Sequence, residues 1–80
     1  MATIEEIKEI LKAEVSRVNV DEIPADGLLS DYDIDSLDRS SVFMAIEDKY
    51  SISIPDNDLE KLGTINSIID YINEKVAKLL

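Results

Sequence analysis

The sequence predicts an all-α fold, a four-helix bundle with three long helices and one short helix, and three observations carry that expectation. Apolar residues recur at helical spacing near both ends of the chain. Residues 36–50 sort into an apolar and a polar side when laid out at 100° per residue. A long stretch without periodicity, rich in aspartate, separates the first helix from that central one.

The elements follow in order. Ile4, Ile7, Leu11, Val15 and Val18 form the first stripe, and Thr3 followed by Glu6 has the pattern of a capping box. A first helix is expected over about residues 3–17. From Asn19 to Asp35 the periodicity fails, and Pro24, Gly27 and Ser30 indicate a loop that Leu28 and Leu29 pin to the core. The second helix runs from Ser36 to Tyr50, with Asp35 as N-cap and Asp38 in the first turn, where an acid suits the macrodipole. Its inner face holds Val42, Phe43, Ile46 and Tyr50, flanked by Ala45 and Lys49. Residues Ser51 to Ile54 read as extended. Pro55 opens a short third helix over Asp56 to Leu62, which Gly63 closes. Thr64 caps the last helix, whose Ile65, Ile68, Ile69, Ile72, Val76 and Leu79 make a continuous stripe with Tyr71 beside it.

Size and charge narrow the function. A 9.0 kDa chain buries only roughly 60% of its extended surface, enough for one small core but not for a deep catalytic pocket. A single domain over residues 1–80, acting as a monomer, is expected. With no cysteine and no histidine, the chain lacks disulfides, thiolate metal sites, a cysteine nucleophile and the usual general base. No apolar run approaches a membrane span, and the N-terminus lacks signal-peptide features, which suits a cytoplasmic protein. A net charge of −10 disfavours nucleic acid and anionic membranes and favours basic protein surfaces. Residues 21–60 hold twelve acids and two bases, so the excess lies on the central loop and second helix.

Ser36 is the residue on which function turns. Serine at a helix start ordinarily caps a backbone N–H, but Asp35 already suits that role, leaving the Ser36 hydroxyl unclaimed. A phosphodiester there would meet the positive end of the helix, a contact of about 0.3–1 kcal/mol that nearby aspartates oppose. Two other readings fail. Asp31, Asp33 and Asp35 match the first ligand positions of an EF-hand loop, but the required glycine is Ser36, the ninth position is Arg39 and the final glutamate is Val42. A serine hydrolase would need a histidine and a glycine-rich oxyanion hole, and neither is present. No metal site is expected. On the outer side of the second helix, Leu37 and Met44 stand beside Arg39, Ser40, Ser41, Glu47 and Asp48. An apolar pair within a charged rim has the anatomy of a protein-docking patch.

The run Asp35-Ser36-Leu37-Asp38, with Met44-Ala45-Ile46-Glu47, Ile54-Pro55-Asp56 and Asp70-Tyr71-Ile72-Asn73 at matching spacing, resembles the acyl carrier protein family over nearly the whole chain. That resemblance implies the four-helix fold of the family and a 4′-phosphopantetheine arm, taken from coenzyme A by a phosphopantetheinyl transferase with magnesium and esterified to Ser36, with Asp35 and Leu37 flanking it. It implies a non-catalytic carrier of acyl thioesters in fatty acid, lipid or polyketide biosynthesis. The cargo would shelter near Val42, Phe43, Ile46, Ile54, Leu62, Ile68 and Tyr71. Acyl-transferring, condensing or acyl-activating enzymes with basic surfaces would dock on the second helix.

Three departures stand out. The family commonly has glycine where this chain has Asp33, and a Val-Glu pair where it has Ser40-Ser41, while Arg39 adds a cation beside them. A docking surface tuned to the usual pattern loses contacts here, which points to a specialised carrier rather than a housekeeping one. The alternatives are an aminoacyl or peptidyl carrier and, from a different class, an acidic helical docking or weak calcium-binding module with no prosthetic group.

Overall fold

The computed structural model describes residues 2–79, the side chain of Leu79 excepted, and they are all-helical. Four α-helices follow in order: α1 (Ile4–Glu14), α2 (Ser36–Tyr50), α3 (Asp56–Leu59) and α4 (Ile65–Leu79). Helix α1 packs against both α2 and α4. Between them lies one apolar core, in which Ile7, Leu11, Ile46, Ile65, Ile68 and Ile72 are essentially closed to solvent. The expected stripes therefore converge because each long helix has one apolar face to bury.

Helix α1 begins as the Thr3 pattern predicts, with Glu6 N–H donating to Thr3 Oγ1 at 3.2 Å. It ends three residues before the expected boundary. Val15 leaves helical geometry at φ −127° while its N–H still donates to the Leu11 carbonyl. Val15 is buried, and beyond it Val20 and Ile23 reach the core from and just after a 3₁₀ turn, not from a continued helix. The chain follows the core instead of the helix. At the other end, Ile4 is 43% exposed, and Ala2 is buried in its place, with its N–H donating to Asn73 Oδ1 at 2.7 Å.

The long connection is ordered. It contains short 3₁₀ turns at Val20–Glu22 and Leu29–Tyr32 and is anchored by Val20, Ile23, Leu29 and Ile34, none more than 1% exposed. Leu29 is the expected anchor, whereas Leu28 is 52% exposed and lies over Gly63 outside the closed core. Leu29 N–H donates to the Gly63 carbonyl and Asn66 N–H to the Ala25 carbonyl, which ties the loop to the start of α4. Gly27 is required where it stands, because a Cβ there would lie 2.8 Å from Pro24 Cγ.

Helix α2 has the predicted bounds and closes with Ser51 in the left-handed region at φ 54°. Helix α3 is a single turn, shorter than the sequence suggests. It stops at Leu59, and Leu62 reaches the core through the following turn. Gly63 does not end the helix by a left-handed conformation; it offers its carbonyl to Leu29. Thr64 caps α4 reciprocally with Ser67, Ser67 N–H donating to Thr64 Oγ1 and Thr64 N–H to Ser67 Oγ, both at 3.1 Å. The expected place of Leu79 in the stripe lies outside the described side chains.

Candidate functional site

The site is built at the start of α2, where loop and helix meet. Asp35 Oδ1 accepts from Asp38 N–H at 3.0 Å, and Asp38 Oδ2 accepts from Asp35 N–H at 3.4 Å, a reciprocal capping box. Both orphan donors are thereby satisfied without Ser36. Ser36 is the first helical residue and exposed, and its hydroxyl makes no hydrogen bond among the described residues. Its carbonyl accepts from Ser40 Oγ at 3.0 Å.

A residue that the sequence did not single out holds this corner together. Arg17 donates from both terminal nitrogens to the Asp38 carboxylate, Nη1 to Oδ1 at 3.0 Å and Nη2 to Oδ2, and Nη2 also donates to the Asp33 carbonyl at 2.8 Å. The Arg17 hydrogen bond holds the Asp38 carboxyl below its usual range, against partial desolvation, and the same bond raises the Arg17 pKa. Arg17 and Asp38 lie 21 residues apart, so no helical spacing could have announced the pair. Arg17 makes these contacts from the turn that follows α1.

Asp33, where the family commonly has glycine, adopts φ 66° and ψ 21°, the left-handed conformation that glycine enters without strain. Aspartate tolerates this region better than most side chains. Its carbonyl then turns toward Arg17. Among the described residues no cluster of three or more acids is arranged to hold a metal ion.

Beside Ser36 a half-open cleft of about 150 Å³ runs between α2 and α3, lined by Ser36, Arg39, Ser40, Phe43, Leu59 and Glu60. It adjoins a second hollow of about 200 Å³ that shares Ser40, Phe43 and Leu59 and extends to Met44 and Ile54. Of the apolar residues expected at a cargo cavity, Phe43 and Ile54 line these spaces. Val42, Ile46, Leu62 and Ile68 pack in the closed core. Tyr71 is half-buried and donates its hydroxyl to Asp58 Oδ2 at 2.7 Å; burial and that carboxylate push its pKa up to about 12. Leu59, in the wall facing α2, was missed because a one-turn helix has no periodicity to read.

On the outer face of α2, Leu37 is 78% and Met44 66% exposed. Ser40, Ser41 and Asp48 are exposed beside them. Glu47 is half-buried and accepts from Ile54 N–H at 2.9 Å, so it braces the extended segment before α3. Arg39 is half-buried, and it lines the cleft.

An exposed, unbonded serine therefore stands on the first turn of α2, beside the α2–α3 cleft. The family model described as the phosphopantetheine attachment site matches residues 5–72. The chain belongs to that family. Its relatives include the acyl carrier protein of Thermosynechococcus vestitus, 35% identical over 92% of this chain and 91% of the relative. The acyl carrier proteins of Helicobacter hepaticus and Wolinella succinogenes are 37% and 36% identical, each over 90% of this chain and 95% of their own. The chain is an acyl carrier by family, and membership implies a covalently attached 4′-phosphopantetheine.

Proposed function

We propose that Ser36 is the attachment point of the 4′-phosphopantetheine arm and that the chain, a single carrier domain over residues 1–80, presents acyl thioesters to enzymes that dock on α2. The observation that carries this reading is the division of labour at the start of α2. Asp35 and Asp38 close the backbone, so the Ser36 hydroxyl stays exposed and unbonded. The residues fit the group, since the cleft beside Ser36 also contains a half-buried arginine whose Nε–H lacks an acceptor. When bound, the arm supplies the thiol that the cysteine-free sequence lacks. The protein's own part is to hold Ser36 on a rigid helix, shelter apolar cargo against Phe43 and Leu59, and offer Leu37 and Met44 to a partner.

Chemistry on the cargo belongs to those partners, because the chain has no histidine or cysteine to perform it. Arg39 and the Ser40-Ser41 pair support a dedicated rather than a housekeeping role, since they change the charge and shape of the helix that partners read. Intact-mass measurement after incubation with coenzyme A, magnesium and a broad-specificity transferase tests the attachment. One phosphopantetheine should be gained by the parent and none by Ser36→Ala. Absence of the gain, or its survival in the variant, would overturn the proposal.

A further inference from the structure

Arg39 is a cation that the capping and ion-pair networks of the described residues leave over. It stands one turn after Ser36 on α2, so the two project along the same helix face, and both line the α2–α3 cleft. In a chain with 18 acids, Arg39 has no ion pair among the described residues. Its Nε–H is covered by neighbouring atoms and meets no acceptor. A buried donor without a partner is unfavourable, and a turn of the side chain that brings the guanidinium to an incoming acceptor removes that penalty. The acids nearest in sequence are already engaged: Asp35 accepts from the helix backbone, and Asp38 is gripped by Arg17. Glu60 lines the same cleft without pairing with Arg39, which leaves the guanidinium open to an anion arriving from outside the fold.

We propose that Arg39 is the counter-ion of the phosphodiester on Ser36, and that this contact turns the arm into the α2–α3 cleft rather than out over Leu37 and Met44. The inference rests on the attachment proposed above. A phosphodiester on Ser36 Oγ would carry a negative charge among Asp33, Asp35 and Asp38. Arg17 offsets Asp38, and Arg39 supplies a positive charge on the cleft side of the attachment point. Guanidinium is the side chain best matched to phosphate oxygens, which it meets through paired N–H donors. Leu37 and Met44 on the outer face offer the phosphodiester no such partner. Glu60 lines the same cleft and opposes a phosphate there, so the contact depends on Arg39 outweighing that repulsion.

The test compares isotopically labelled protein in apo, holo and butyryl-loaded forms, with intact mass establishing whether the arm is on Ser36. The Arg39 guanidinium resonances should shift when the arm is attached, and exchange of the terminal Nη protons with solvent should slow about tenfold, the factor one charge-assisted hydrogen bond supplies. The phosphorus resonance of the holo form should be broadened by immobilisation and should sharpen in Arg39→Gln. Holo protein whose mass shows the arm in place but whose Arg39 resonance matches the apo form would overturn the proposal. So would a change that occurs only on butyryl loading, which would assign Arg39 to the cargo. A missing mass increment would overturn the Ser36 attachment itself, and the mass spectrum distinguishes that case. The wild-type comparison stands whether or not the variant folds.

Discussion

Replacing Asp35 by alanine asks whether the carboxylate, and not Ser36, closes the start of α2. Asp35 Oδ1 accepts from Asp38 N–H at 3.0 Å, and the substitution strips that acceptor. Loss of a side-chain N-cap costs about 1 kcal/mol, with a spread of roughly 0.5–2. Set against about 4–12 kcal/mol of total stability for a chain of this length, the loss is substantial and lowers the melting temperature by roughly 4–8 °C. Serine is itself a good cap, so with Asp35 gone the Ser36 hydroxyl can accept a backbone N–H one position further along. Some stability is then recovered, at the expense of the hydroxyl a transferase must reach. Urea unfolding should show the loss in Asp35→Ala and a larger one in the Asp35→Ala/Ser36→Ala double variant, while Ser36→Ala alone should be nearly silent. Asp35→Asn keeps the acceptor and should lose less than half as much. Transfer of phosphopantetheine to Asp35→Ala should slow by more than the unfolded fraction explains. An Asp35→Ala protein as stable as the parent, or a Ser36→Ala protein destabilised as much as Asp35→Ala, would refute the assignment of the cap.

Three further outcomes are expected. Because the Arg17 hydrogen bond holds the Asp38 carboxyl below its ordinary value, the stability it contributes is present above the unfolded pKa near 3.8 and is lost as pH falls through the lower folded value. Arg17→Gln should move the Asp38 carboxyl titration, followed by carbon NMR, up toward 3.8, and an unmoved titration would contradict the bridge. Ser51 ends α2 at φ 54°, so Ser51→Gly should relieve the left-handed strain and stabilise the protein by about 0.5–1 kcal/mol in urea unfolding; a loss would show that the serine side chain is needed there. Tyr71 is neutral in the fold up to about pH 12, above its unfolded value near 10. Its contribution is therefore complete below pH 10 and lost as pH rises toward 12, visible as late phenolate absorbance, and Tyr71→Phe should cost about 1 kcal/mol by removing the bond to Asp58.

Most of the architecture was legible because helices advertise themselves by period. The bounds of α2 and the roles of Asp35, Thr3 and Thr64 follow from side chains acting within one turn of themselves. Periodicity misled where tertiary burial overrode it. Val15 and Val18 continue the α1 stripe on paper, yet the chain leaves the helix at Val15 to bury Val20 and Ile23 as well. Leu28 and Leu29 look alike in sequence, but only Leu29 faces inward, with its N–H on the Gly63 carbonyl. At the site, the exposed pair Leu37 and Met44 was readable from the helical layout, whereas the bracing role of Glu47 depends on where Ile54 returns.

Local chemistry along the chain was enough to specify four helices, a serine at a helix start with nothing to cap, and an acidic centre, since each depends on residues within one or two turns of one another. The cleft between α2 and α3, the Arg17 clasp on Asp38 and the isolation of Arg39 were decided in three dimensions. Their partners come from distant elements, and the free energy of a contact depends on which groups folding leaves within reach, a quantity that spacing along a sequence does not encode.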